Sequence, residues 1–362
     1  MYDVAIIGAG VNGCATAYEL EKAHKKIVLF DENGIASGGS GAAGAFIAPK
    51  FSKAGELKEI LHQAFLYSMD FYETNFPTLF QKSKLLHIAK DEKDDEILRA
   101  YKQDTDIEFF DTHDTKRESI SIVAGLVNAK MTCEAMAKSS TFVKEKVDTI
   151  VFDDGAWVIN DKYSAKELVL ATGAYKMLIK EPYIQLRGIW GHRIDIQTST
   201  KNLHSIHQFV SISPSKEGEL SIGATHNVHY HPQTSTQTYN IDEGREELLY
   251  KASQSLELKD VSIVRDYMGL RSGSFDYMPL LGEVVLSHET LKNNIINFKT
   301  KKPNFEAYTY YPNLYMINGS GGYGFVLAPY LAQMLANHIV SGRKISPRFS
   351  PARFFARWAK KL

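Results

Sequence analysis

The stretch "DVAIIGAGVNGCATAYELEKAHKKIVLFDE", residues 3–32, reads as a strand, a glycine turn, a helix and a second strand. The apolar run Val4 to Ile7 predicts a buried strand. Gly8, Gly10 and Gly13 then supply G-x-G-x-x-G. Gly8 permits a tight turn, Gly10 lets the backbone approach a pyrophosphate, and Gly13 lets the helix pack close to the strand. The helix opens at Val11 and Asn12, with free N–H groups and the positive dipole end aimed at the phosphates. Ala15, Ala17 and Leu20 face the sheet. "KIVLF" is the second strand, and Asp31 closes it. Asp31 lies 23 residues after Gly8, where an acid accepts hydrogen bonds from an adenosine ribose. A lone glycine motif is weak, but strand, helix and acid at the right distance make a dinucleotide-binding unit. The motif alone does not separate NAD from FAD.

At 362 residues the chain can bury one large core or two modest ones. Its 44% hydrophobic and 23% charged content is ordinary for a soluble globular protein. Cys14 and Cys133 cannot form a disulfide framework and suit a reducing, cytoplasmic compartment. The start "MYDVAIIGAG" lacks the basic region and cleavage site of a signal peptide. The apolar stretch from Tyr323 to Val340 is interrupted by Pro329, Gln333, Asn337 and His338. It predicts a buried helix, with no stable membrane insertion.

Three further segments argue for a flavin. "ASGGSGAAGAF", residues 36–46, predicts an ordered loop hugging a ligand with backbone N–H groups and the Ser37 and Ser40 hydroxyls. Gly44 and Ala45 end it against the ligand. "KELVLATGAY", residues 166–175, runs a buried strand into Ala171, Thr172 and Gly173, where a sheet returns to the cofactor. The alternating stretch before it holds Val147 and predicts a three-stranded antiparallel meander with an Asp-Asp-Gly turn. The strand Leu314 to Ile317 meets a second glycine loop, Gly319, Gly321, Gly322, Tyr323 and Gly324, and a long helix follows. Two glycine loops, each opening a helix at opposite ends of one chain, suit FAD, with its pyrophosphate at one and its flavin at the other.

"MGLRSGSFDYMPLLG", residues 268–282, sets Arg271 between glycine and serine. One reading is a loop arginine paired with an acid such as Asp276. The other is a planar fork that grips a substrate carboxylate through both oxygens. His226, His229 and His231 lack metal-ligand spacing and a nearby cysteine, and no metal is expected.

Together these segments resemble the D-amino-acid-oxidase-like flavoprotein superfamily, which includes glycine oxidase and sarcosine oxidase. The resemblance covers nearly the whole chain. It implies an α/β (α+β, two-domain) fold: a Rossmann-like FAD-binding domain with an inserted, mostly antiparallel substrate sheet. By analogy, residues 1–75, 122–180 and 264–342 form the FAD domain, and residues 76–121 and 181–263 the substrate domain. Some members attach flavin through a cysteine in the C-terminal half; neither cysteine lies there, so FAD is expected to be noncovalent. The family context G-x-R…P-x-x-G implies that Arg271 faces the flavin and holds an amino acid's carboxylate.

Several stretches are similar to one branch, the FAD-dependent oxidase domain of the bifunctional tRNA wobble-uridine modification enzymes (MnmC). They include "IASGGSGAAGAFIAPKFSK", "LRGIWGHR", "GLRSGSFDYMPLLGEV" and the ending "ISPRFSPARFFARWAKKL". The resemblance implies oxidative removal of the carboxymethyl group of 5-carboxymethylaminomethyl-(2-thio)uridine in tRNA, releasing glyoxylate. Lys53 falls in a matching lysine context near the substrate. The usual "SGASGN" loop is here "SGGSGA", and residue 1 already begins the FAD strand. The chain therefore reads as a stand-alone oxidase, with methylation either left to a separate methyltransferase or not occurring. The alternative is an oxidase or dehydrogenase of free glycine, sarcosine or a D-amino acid.

The tail, residues 343–362, carries seven basic residues and no acid, which leaves 35 basic against 42 acidic side chains in the rest of the chain. A helix from Pro351 to Leu362 puts Phe354, Phe355, Trp358 and Leu362 on one face and Arg353, Arg357, Lys360 and Lys361 on another. Three readings stand: a docked helix that adds positive field for tRNA phosphates, one that lies on an anionic membrane surface, or one that balances acidic neighbours.

Overall fold

A helix between two strands carries the chain back to start a parallel neighbour. Tyr2–Ile7 and Ile27–Phe30 are such a pair, with the helix Val11–Lys22 between them. The computed structural model describes residues 1–112, 115–175, 177–293, 298 and 302–362. Five strands run parallel: Tyr310–Asn318, Tyr163–Leu170, Tyr2–Ile7, Ile27–Phe30 and Thr141–Val143. Leu280–Val285 closes one edge antiparallel. The expected meander is Ile150–Asp153, Ala156–Ile159 and Tyr163–Leu170. Asp154 and Gly155 take φ of 43° and 77° at its turn, the left-handed pair that a two-residue hairpin needs.

A second sheet of nine strands runs from Ser262–Ser274 through Leu186–Gln197 to Phe80–Ile88, Ser119–Val127 and Phe46–Ile47. Two boundaries differ from expectation. Residues 122–127 and 264–274 pair in this second sheet, not the dinucleotide sheet. Each is the larger part of a long strand whose first residues, 119–121 and 262–263, were already assigned there, and a paired strand does not change sheets midway without a bend. The chain thus alternates between the two sheets, and the cavity lies where they meet.

The long helix Gly324–Ser341 contains Pro329. Proline has no N–H, so the Phe325 carbonyl four residues back loses its helical partner. The buried Tyr72 hydroxyl donates to that carbonyl at 2.9 Å, and Ser68 donates to the next, Val326, at 2.7 Å. Both come from the helix Glu56–Asn75. The proline break is therefore sealed by a neighbouring helix, directly behind the second glycine loop. Among the described residues no helix is long and apolar enough to cross a membrane.

The tail docks as the helix Ala352–Ala359. Phe355 is fully buried and meets Tyr308 and Tyr183 edge-on at 4.9 and 5.6 Å. Phe354 is buried and Trp358 half-buried, but Leu362 is exposed. The expected outward row of cations is only partly right. Arg353 turns inward and uses all its N–H donors: Nε and Nη2 reach the Asp276 carboxylate, Nη2 the Met278 carbonyl, and Nη1 the Phe349 and Ser350 carbonyls. Arg348 pairs with Glu56 at 3.0 Å and Lys344 with Glu306 at 2.9 Å. Arg357, Lys360 and Lys361 remain exposed. The aromatic face set the docking, and acids on the body captured three of the seven charges.

Burial would raise the Asp276 carboxyl, but Arg353 and the Met278 N–H outweigh it and hold its pKa below the ordinary value. A depressed carboxylate stabilises the fold above its unfolded pKa, about 3.9, and loses that contribution as pH falls through the folded value. Arg353→Ala should therefore cost about 3 kcal/mol at neutral pH. The gap to wild type in urea melts should shrink below about pH 4. Tyr72→Phe should cost about 1–2 kcal/mol in the same melts, because it leaves the Phe325 carbonyl buried and unpaired.

Candidate active site

A cavity of about 800 Å³ runs between the two sheets. That is within the range of small-molecule sites, about 300–1,000 Å³. At one end it meets the Gly8–Gly13 turn. Gly8 sits at φ +105°, and a Cβ there would lie 2.3 Å from the Ala171 carbonyl oxygen; one on Gly13 would lie 1.9 Å from that of Gly8. Gly13 therefore serves strand–helix packing behind the cavity wall. Gly8, Gly10, Val11 and Asn12 line the cavity itself.

Asp31 does more than was expected of it. Oδ2 accepts from the Ala9 N–H at 3.0 Å, and Oδ1 accepts from the N–H groups of Asn33 and Gly34 and from the Ser37 hydroxyl. The carboxylate thus braces the glycine turn and keeps spare acceptor capacity on Oδ2. Ser40 Oγ accepts from the Val11 N–H at 2.9 Å, so that donor, expected free for a phosphate, is already engaged. The Ser40 proton stays available. Val147 lines this end with Glu145, Lys146 and Asp148.

The loop 36–46 is small for a second reason. A Cβ on Gly39 would lie 2.6 Å from the Leu270 carbonyl oxygen, and one on Gly269 would lie 2.8 Å from the Gly39 Cα. The loop and the arginine-bearing strand therefore meet backbone to backbone, with Gly44 and Ala45 further along the cavity wall. Ala171, Thr172 and Gly173 line the middle. Asn318 is buried there; its Nδ2 donates to the Gly173 carbonyl, and its Oδ1 accepts from Ser272 and the Gly319 N–H. Ser320 donates to Asn12 Oδ1 at 3.1 Å, tying the two glycine loops together. Gly319 lies behind the wall, while Gly321, Gly322, Tyr323 and Gly324 line it. A Cβ on Gly321 or Gly322 would meet nothing within 4 Å. These bare positions leave a cradle opposite the dinucleotide turn, and the two ends together fit FAD.

Arg271 lines the cavity near that second loop. Its one hydrogen bond runs from Nη2 to the Thr225 carbonyl at 3.0 Å. Among the described residues no carboxylate pairs with it, and Asp276, the expected ion partner, belongs to Arg353. Burial draws its pKa below arginine's ordinary value, though a guanidinium stays charged in proteins. Gly191 on the facing strand makes room: a Cβ there would sit 2.4 Å from Nη2.

Lys53 is exposed and outside the cavity lining. Lys50 takes its place there, with its ammonium 5.7 Å from the centre of the Tyr323 ring. Burial lowers the Lys50 pKa and pushes Tyr323 up to about 12. Sequence reasoning missed Lys50 and Gly191, although the "APKFSK" and "LRGIWGHR" stretches held them. His226 and His229 are exposed, and no metal-holding group of three forms among the described residues. Cys14 and Cys133 are buried and absent from the cavity lining, so neither thiol meets a ligand there.

Residues 3–338 match the family model of the FAD dependent oxidoreductases (DAO). The tRNA 5-methylaminomethyl-2-thiouridine biosynthesis bifunctional protein MnmC of Legionella pneumophila (strain Lens) is 24% identical over 96% of this chain and 56% of its own length. The protein of that name from Campylobacter concisus is 26% identical over 98% of this chain and 60% of its own length. The chain thus spans little more than half of these relatives. Glycine oxidase from Geobacillus kaustophilus superposes with a TM-score of 0.75 at 18% identity, covering 97% of this chain and 98% of its own. The chain belongs to the DAO family of FAD-dependent oxidoreductases.

Proposed function

We propose that this oxidoreductase acts on the C–N bond of an N-substituted glycine, the carboxymethylaminomethyl group of a tRNA wobble uridine. One observation carries the reading. Arg271 is a half-buried cation with no carboxylate partner among the described residues, and it uses one of its N–H donors. An uncompensated buried charge is costly unless a ligand completes it, and a bidentate carboxylate is the match for a free guanidinium fork. The similarity to MnmC proteins, covering 96% of this chain, favours the tRNA-borne glycine over a free amino acid.

Bound FAD supplies the two-electron acceptor for the hydride. The chain's residues supply position and charge. Arg271 fixes the carboxylate, so the amine nitrogen and α-carbon lie toward the glycine cradle at 321–322. The amine loses a proton and the α-carbon a hydride, giving a C=N bond. Water adds to that bond and splits it into the aminomethyl nucleoside and glyoxylate. Lys50, a second cation without an acidic partner among the described residues, holds positive charge beside the reacting group. Within the tail, Arg353 is committed to the body, while Arg343, Arg357, Lys360 and Lys361 stay exposed and supply the positive field for tRNA phosphates.

Incubation with tRNA bearing 5-carboxymethylaminomethyl-uridine should yield 5-aminomethyl-uridine and glyoxylate by nucleoside analysis. Robust turnover of free glycine or a D-amino acid, with no conversion of that tRNA, would sink the reading. Arg271→Ala should lower kcat/KM about 100-fold or more while the protein stays yellow. Gly191→Ala tests the same anchor differently. Its methyl displaces a side-chain tip, not backbone, so melting should shift little while KM rises.

A further inference from the structure

We propose that His87 and His207 form a subsite for a neutral, carbonyl-bearing ring of the substrate, an assignment that rests on the reading above and extends it. The two residues are direct partners on neighbouring parallel strands, Phe80–Ile88 and Ser205–His207. Their side chains therefore leave the same face of the sheet, about 4.8 Å apart at the backbone. Both line the cavity. Phe51 stacks on His87 with ring centres 4.3 Å apart and planes 22° off parallel. Phe46, the last residue of the glycine loop, meets His207 edge-on at 4.9 Å.

Burial drives the His87 pKa down to about 4 and that of His207 to about 3, and each ring therefore carries one proton at neutral pH. The place of that proton follows from hydrogen-bond accounting. Nδ1 of His87 and Nε2 of His207 are sealed from solvent and have no hydrogen-bond partner. A proton on either would be an orphaned buried donor, the costlier kind of unpaired group. The favoured tautomers put the protons on Nε2 of His87 and Nδ1 of His207. Neither of those nitrogens has a protein acceptor among the described residues.

The cavity thus presents two neutral N–H donors beside aromatic faces, apart from the cationic Arg271. A carboxylate goes to the arginine. Two neutral donors one strand spacing apart suit a planar ring with two carbonyl or thiocarbonyl acceptors. A pyrimidine-2,4-dione, or its 2-thio form, carries that pair and leaves its 5-substituent for Arg271.

The test uses FAD-loaded protein and two N-substituted glycines: the nucleoside 5-carboxymethylaminomethyl-uridine, and sarcosine, which lacks the ring. His87→Phe and His207→Phe keep the aromatic volume and remove the donor. Each should raise the ratio of the nucleoside KM to the sarcosine KM about tenfold, and His87→Asn and His207→Gln should restore part of it. Wild type provides a second measurement that needs no variant. Uridine should inhibit sarcosine oxidation about tenfold better than cytidine, whose 4-amino group turns a donor toward a donor. An unchanged KM ratio, or equal inhibition by uridine and cytidine, with the nucleoside still oxidised, overturns the subsite and leaves the functional reading standing. Oxidation of sarcosine alone, with neither nucleoside nor tRNA accepted, overturns both.

Discussion

Two backbones touch at Gly39 and Gly269, and a side chain at either would drive them apart. One backbone belongs to the loop that follows the dinucleotide unit. The other is the strand that carries Arg271 two residues later. Their contact fixes the distance between the cofactor seat and the proposed substrate anchor without any side chain as intermediary. Asn318 locks the same joint from the other side, through Gly173, Ser272 and Gly319. Backbone and buried amide contacts resist rotamer change, so the separation of the two functional ends is set by the fold itself.

Two arginines show how little charge counting says about role. Arg353 looks like part of a basic tail, yet every N–H it owns is matched by protein oxygen. Arg271 sits in a plain G-L-R-S context and has a single carbonyl partner. The first is a structural pin, and its cost of burial is offset by Asp276. The second is an open valence. Sequence shows both as arginines near glycine or serine. Only the location of Asp276, 77 residues from Arg353, separates them.

The parallel core was legible because its signals are local: apolar runs, glycine turns and an acid at fixed spacing. The meander was legible for the same reason, down to the turn at Asp154 and Gly155. What escaped was long-range. The strands at 119–127 and 262–274 pair with partners far away in sequence, and their alternation is the same whichever sheet they join. Lys50 and Lys53 were indistinguishable without knowing that the chain leaves the cavity after Phe51. Gly191 carried no turn signal because its role is to vacate space for another strand's side chain. The histidine pair depends on a cross-strand register that no short window contains.

The cavity also shows where polar groups are left incomplete. Two places outside it show the opposite: Tyr72 repairs the proline break, and Arg353 is saturated. Within the cavity, Arg271, Lys50 and both histidines keep donors without protein acceptors among the described residues. Such groups destabilise the empty protein, since each is partly desolvated with nothing returned. Their presence in one cavity is what the proposed ligand, with an anionic end and a neutral polar ring, would answer. The free energy withheld from folding at these positions is what a matching substrate recovers on binding.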